Sequence, residues 1–195
     1  MENYFIYGEK ELSYLRNKDK KLAALIDRVG MIKRPVNPDP FSSLVDSIVA
    51  QQISNKAATT VYGKLDDMCG GNVAPSTINA LTVEQIQSCG MSMRKAGYIK
   101  NIAEAPIDFD NLEQRSDREI IDMLTAIKGV GVWTVEMLLI FSLMRPDVVS
   151  YGDLIIRRSM MQLYGHKELS KERFQRYAKR YSPYGSVASL YLWAY

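Results

Sequence analysis

The apolar positions of this chain recur with helical spacing almost throughout. Leu22, Leu25, Ile26 and Val29 form one stripe. Phe41, Leu44, Val45, Ile48 and Val49 form a second at i, i+3, i+4, i+7 and i+8. After a polar break the pattern resumes with Ala57, Ala58, Val61, Tyr62 and Leu65. Thr82 with Gln85, and Ser116 with Glu119, have the spacing of capping boxes, so each marks a helix start. Behind the second lie Ile120, Ile121, Leu124 and Ile127 on one face. Ser92 is placed to cap a helix carrying Ala96, Ile99 and Ile102. Residues 134–144 are apolar on almost every side, which predicts a central buried helix. Further helices are expected around 154–164, 170–181 and 186–193. No alternating run long enough for an ordinary strand is present. The pattern therefore predicts an all-α fold of about nine or ten helices of ordinary length. The segment Pro35-Val36-Asn37-Pro38-Asp39-Pro40 is the main expected linker, because its prolines cannot continue a helix.

Composition narrows the class without naming a function. With 195 residues, 47% of them hydrophobic and 24% charged, the chain suits one globular core or two small lobes. Cys69 and Cys89 are too few for a cluster site and fit no zinc spacing. The low cysteine content and the mixed, charged N-terminus point to a reducing, cytoplasmic setting. The longest apolar run, residues 137–141, is far too short to span a membrane. His166 is the lone histidine, which removes any mechanism built on a histidine pair; its place beside Gly165 predicts a surface turn. The net charge of +3 conceals an asymmetry: residues 1–150 hold 17 Lys/Arg and 19 Asp/Glu, whereas 151–195 hold eight and three. A basic last quarter is either a solvated helix face or a surface that meets phosphate.

The segment Ile127-Lys128-Gly129-Val130-Gly131-Val132-Trp133-Thr134 is the most informative stretch. Two glycines stand between a helix end and a very apolar helix start. Such a turn lets backbone N–H groups approach a phosphate oxygen at the positive end of the second helix. A capping glycine in a tight helix connection would use the same residues.

With its surroundings, this segment resembles the hairpin of the helix-hairpin-helix superfamily of DNA glycosylases, most closely the 3-methyladenine DNA glycosylase II branch. The resemblance runs over residues 19–195. It includes Ala50-Gln51-Gln52-Ile53-Ser54-Asn55-Lys56-Ala57-Ala58, then Gly90-Met91-Ser92 with Arg94-Lys95-Ala96 and Tyr98-Ile99, and then the hairpin. Asp153-Leu154 with Ile156 and Arg157-Arg158 follows, and Tyr181, Pro183, Tyr184 and Trp193 close it.

The resemblance implies a two-lobed fold with a DNA-binding cleft between the lobes. Residues 1–40 would pack with a C-terminal segment, 146–195, and residues 41–145 would form the central lobe with the hairpin at 125–134. It implies a monofunctional, monomeric enzyme that acts on double-stranded DNA, flips out alkylated purines and leaves an abasic site. Asp153 would be the catalytic carboxylate, and it is also well placed as a helix N-cap. Trp133 stands where strand-cutting relatives carry a Schiff-base lysine. Trp133, Trp193, Met137 and Tyr184 would line the base pocket. Gln51, Gln52, Gly129, Val130, Gly131, Thr134, Arg157 and Arg158 would contact DNA, with Gln52 either a wedge in the duplex or a local cap. No cofactor is required. Carbonyls of Thr125, Ile127 and Gly129 would be able to hold a structural Na+ or K+. A glycosylase for another damaged or mismatched base, and a non-catalytic hairpin DNA-binding protein, remain the alternatives at this stage.

Overall fold

The computed structural model describes residues 3–195. In chain order its first half runs β1 (Asn3–Tyr4), α1 (Glu9–Lys18), α2 (Lys20–Val29), β2 (Pro35–Val36), α3 (Pro40–Ala50), α4 (Asn55–Met68), α5 (Pro75–Asn79) and α6 (Val83–Ser88). Then come α7 (Met93–Glu104), a short 3₁₀ turn, α8 (Asp117–Thr125), α9 (Val132–Phe141), α10 (Leu154–Tyr164), α11 (Lys171–Tyr181) and α12 (Gly185–Trp193). The fold is nearly all helical. β1 and β2 form a two-residue antiparallel rung, with Asn3 opposite Val36 and Tyr4 opposite Pro35.

The chain divides into two compact units, one comprising the sequence up to Val36 with Leu139–Tyr195, the other Asn37–Leu138. The first junction lies before Pro40 because that proline begins a helix rather than belonging to the linker. Asp39 caps α3 by accepting the Ser42 N–H at 2.9 Å, and Pro40 occupies the first turn, where no N–H is needed. The second junction falls inside α9 rather than in the loop near 145.

In the first unit, Leu22, Leu25 and Ile26 of α2 are buried, and α12 is buried along nearly its whole length against α1, α2, α10 and α11. The buried carboxylate of Asp19 is fully engaged. One oxygen accepts the Lys21 and Leu22 N–H groups at 3.0 Å and so caps α2. The other accepts the Tyr164 hydroxyl at 2.8 Å and the Arg180 guanidinium at 2.7 Å. A buried charge left unpartnered would cost several kcal/mol, of order 3–5. Burial raises the pKa of Tyr164 and Tyr181, which keeps both phenols neutral within this network.

In the second unit, α3 carries the predicted stripe into the core against α4 and α7, and α7 also packs on α5 and α6. Both capping boxes form. Gln85 accepts from the Thr82 N–H at 2.7 Å, and Glu119 accepts from the Ser116 N–H at 2.8 Å.

There are twelve α-helices among the described residues, more than the apolar spacing predicts. The additional ones have a weak stripe: α1 buries Leu12 and Leu15 alone, and the five-residue α5 buries Ile78 alone. The helix expected over 134–144 ends at Phe141. Met144 takes φ +49°, and the Arg145 N–H returns to the Leu139 carbonyl at 2.8 Å. The left-handed residue and this return bond turn the chain away after the helix, and apolar content alone does not reveal them.

Candidate active-site carboxylate and nucleic-acid interface

Between α8 and α9 the chain makes the hairpin. Gly129 has φ +106°, and a Cβ there would lie 2.2 Å from Cγ of Tyr98. Both the backbone conformation and the ring beneath it therefore demand glycine. Gly131 has an ordinary φ and open space around it, so a bare backbone is its distinguishing feature. The Val130 N–H donates to the Ile127 carbonyl at 3.1 Å, and the Val130 side chain is buried, pinning the turn to the core. From α7, the Asn101 amide donates to the Lys128 carbonyl at 3.1 Å.

α9 begins at Val132, which places the positive end of its dipole beside the two glycines. Val132 and Trp133 are exposed there, at 51% and 39%. Thr134 and Met137 are instead buried, so their side chains contribute to packing. Thr125 donates its hydroxyl to the Ile121 carbonyl at 2.6 Å. The Ile127 carbonyl accepts one bond and retains a second lone pair. Oxygen donors of this kind suit an alkali cation.

A second exposed turn joins α3 to α4. Gln51 has φ −54° and ψ 127°, and Gln52 has φ +59°. The Ile53 N–H points back to the Ala50 carbonyl at 3.4 Å. These are the features of a type II turn, whose second central position ordinarily takes glycine or asparagine. A glutamine in that position stores about 1–2 kcal/mol of strain. Gln52 is exposed, as is Ile53 beside it.

In the first unit, Asp153 is 6% exposed and caps α10, with Oδ1 accepting the Ile156 N–H at 2.9 Å. The cap bond fixes the carboxylate's orientation. Leu154 and Ile155 directly after it are exposed. Arg157 lies over the Tyr151 ring at 5.3 Å, and its buried Nε has no hydrogen-bond partner. Arg158 is exposed and lines a surface pocket with Gln162, His166 and Lys167. Trp193 lies 5.3 Å from Phe141 between ring centroids and borders a cavity of about 130 Å³ with Ile32, Arg34 and Leu190. Tyr184 packs edge-on against Tyr14 at 5.2 Å. His166 is more than a surface turn residue, because its Nε2 is 2.7 Å from the Tyr177 hydroxyl. In the basic tail, Arg180 is committed to Asp19.

The hairpin, the Gln51–Gln52 turn and the capped Asp153 define the repertoire of a helix-hairpin-helix DNA-repair protein. The chain belongs to the HhH-GPD superfamily of base excision DNA repair proteins, whose model matches residues 45–183. It is 33% identical to DNA-3-methyladenine glycosylase 1 of Schizosaccharomyces pombe, over 95% of this chain and 85% of that protein. Among solved structures it is similar to a DNA-3-methyladenine glycosidase from Bacillus halodurans, with a TM-score of 0.85 and 38% identity over 98% of this chain and 91% of that one. It is also similar to the Schizosaccharomyces pombe 3-methyladenine DNA glycosylase in complex with abasic DNA, with a TM-score of 0.80 and 33% identity over 94% and 95%.

Sequence reading noted Tyr98 in a family segment without giving it a role and passed over Asn101; both brace the hairpin from α7. Their three-residue spacing on one side of a helix was the available signal.

Proposed function

We propose that this protein is a monofunctional DNA N-glycosylase that flips out alkylated purines of the 3-methyladenine and 7-methylguanine type and leaves an abasic site. The observation that carries the reading is a buried, cap-fixed Asp153 carboxylate in a chain 33% identical to a DNA-3-methyladenine glycosylase over 95% of its residues. Breaking the glycosidic bond builds positive charge on the sugar, and a preoriented carboxylate stabilises that charge and orients water. Alkylation makes the base itself cationic, so it leaves with little acid assistance. It also stacks well on electron-rich rings.

Trp133 and Trp193 are the aromatic candidates for the pocket. Met137 and Tyr184 would be further lining residues. Trp133 has no amine, so no Schiff base forms and no strand is cut at that position. The backbone of the turn from Gly129 through Gly131, with Thr134 in the first turn of α9, would hold a phosphate, as would Arg157 and Arg158. Carbonyls of Thr125, Ile127 and Gly129 would hold Na+ or K+, whose charge would favour phosphate nearby. Gln52 would fill the gap left by the flipped base, with Gln51 beside it.

A panel of duplexes, each with one lesion, tests the reading. Methylated purines are expected to be released and neutral oxidised or deaminated bases not, with strand breaks appearing only after heat or alkali. Release of the neutral lesions alone would overturn it.

The wedge has its own test. Gln52→Gly removes about 1–2 kcal/mol of left-handed strain and adds about 0.4–1 kcal/mol of unfolded-chain entropy. Thermal stability is therefore expected to hold, while base release falls about tenfold as the cost of the vacated stack goes uncompensated. A clear loss of stability with unchanged release would assign Gln52 to the fold instead.

A further inference from the structure

Lys95 occupies an unfavourable place on its own helix. Ser92 caps α7 by accepting the Lys95 N–H at 3.3 Å, so Lys95 sits in the first turn, at the positive end of the dipole. No acidic residue accompanies it in that turn. Its ammonium finds compensation elsewhere, donating to the carbonyl of Val49 at 2.7 Å and to the carbonyl of Gln51 at 2.5 Å. The first acceptor belongs to the last turn of α3, where carbonyls lack helical partners and the dipole is negative. α3 supplies no basic residue of its own there. The second acceptor belongs to the strained turn itself, one residue before Gln52. The half-buried ammonium has a lowered pKa from desolvation, as expected of a charge turned inward rather than toward bulk water.

We infer that Lys95 is the positioning residue of the Gln51–Gln52 turn, tying two successive backbone segments so that Gln52 is held at positive φ for insertion into DNA. This rests on the glycosylase reading and on Gln52 as the wedge. Helix α7 then serves both exposed loops of its unit from one side. Lys95 fixes the turn, while Tyr98 and Asn101 fix the hairpin three and six residues further along. The spacing between the two loops is set by a rigid helix rather than by the loops' own flexible chain.

The test uses the whole 195-residue chain with Lys95→Met, the milder Lys95→Gln, Gln52→Ala and the Lys95→Met/Gln52→Ala double variant. Single-turnover release of 7-methylguanine is measured first. Fluorescence of 2-aminopurine beside an abasic-site analogue then reports insertion without any chemistry. Lys95→Met is expected to lower release about tenfold and to reduce the fluorescence change, with Lys95→Gln intermediate because an amide can make one of the two bonds. The double variant is expected to be no slower than the slower single one, since both act through one side chain. The salt dependence of DNA binding is expected to keep its slope. A slope reduced by about one would make Lys95 a phosphate contact. Independent, multiplying effects in the double variant, or wild-type behaviour of Lys95→Met and Lys95→Gln in both assays, would also overturn the inference. A wild-type protein that changes the fluorescence but releases no base would overturn the glycosylase reading and leave the positioning role standing.

Discussion

Asp153→Asn is expected to lower base release by about 100- to 1000-fold while leaving the fold and the affinity for DNA in place. The substitution is informative because of the residue's double duty. Asp153 starts α10 by accepting the Ile156 N–H, and an asparagine amide oxygen accepts the same bond about equally well. The exchange therefore keeps the cap and removes one negative charge. Asp153→Ala would also remove the cap, at about 1 kcal/mol, and would confuse a structural loss with a chemical one. Base release and filter binding, measured side by side on an alkylated duplex, separate the outcomes. Unchanged release with Asp153→Asn would remove the carboxylate from the reaction and favour a protein that binds DNA without cutting a glycosidic bond.

Gly129→Ala is expected to have the largest effect on stability. The new methyl would lie 2.2 Å from the Tyr98 ring, on a residue held at φ +106°. Overpacking and left-handed strain together amount to about 2–5 kcal/mol. For a chain of this size the thermal midpoint should fall by roughly 5–15 °C. Gly131→Ala is the matched control. It meets nothing within 4 Å and needs no unusual φ. Its thermal midpoint should stay near that of the wild type, and DNA affinity should fall because the methyl covers the bare backbone. Calorimetry and a binding titration on both variants check this. Equal destabilisation by the two alanines would show that Tyr98 yields and that the hairpin glycines do not differ in role.

Much of the fold is written in local signals. Ser116 with Glu119, Thr82 with Gln85 and the stripe from Phe41 to Val49 each specify an element through bonds or contacts within a few residues, and each forms as expected. What escaped depends on partners remote in sequence or on single backbone angles. α1 has too sparse a stripe to be noticed until Leu12 and Leu15 meet their neighbours. The end of α9 is set by a left-handed methionine, a residue type that carries no such signal. Site reading divides along the same line. Asp153 and the two glycines stand out in the sequence because their residue types suggest a role by themselves. Lys95 and Tyr98 stand in a family segment with no role readable from the sequence, since their significance lies in which carbonyls and which glycine they touch.

The Asp19 network also has a practical meaning for anyone dissecting this protein. The family match begins at residue 45 and ends at 183. A fragment cut to those limits would discard α2 and α12. Tyr164 and Arg180 would lose their shared carboxylate acceptor, and α10 would lose the helix that covers it. The helix that Asp153 caps is thus held by residues on both flanks of the recognisable family segment. The smallest piece able to keep Asp153 in place is wider than the segment by which the family is known.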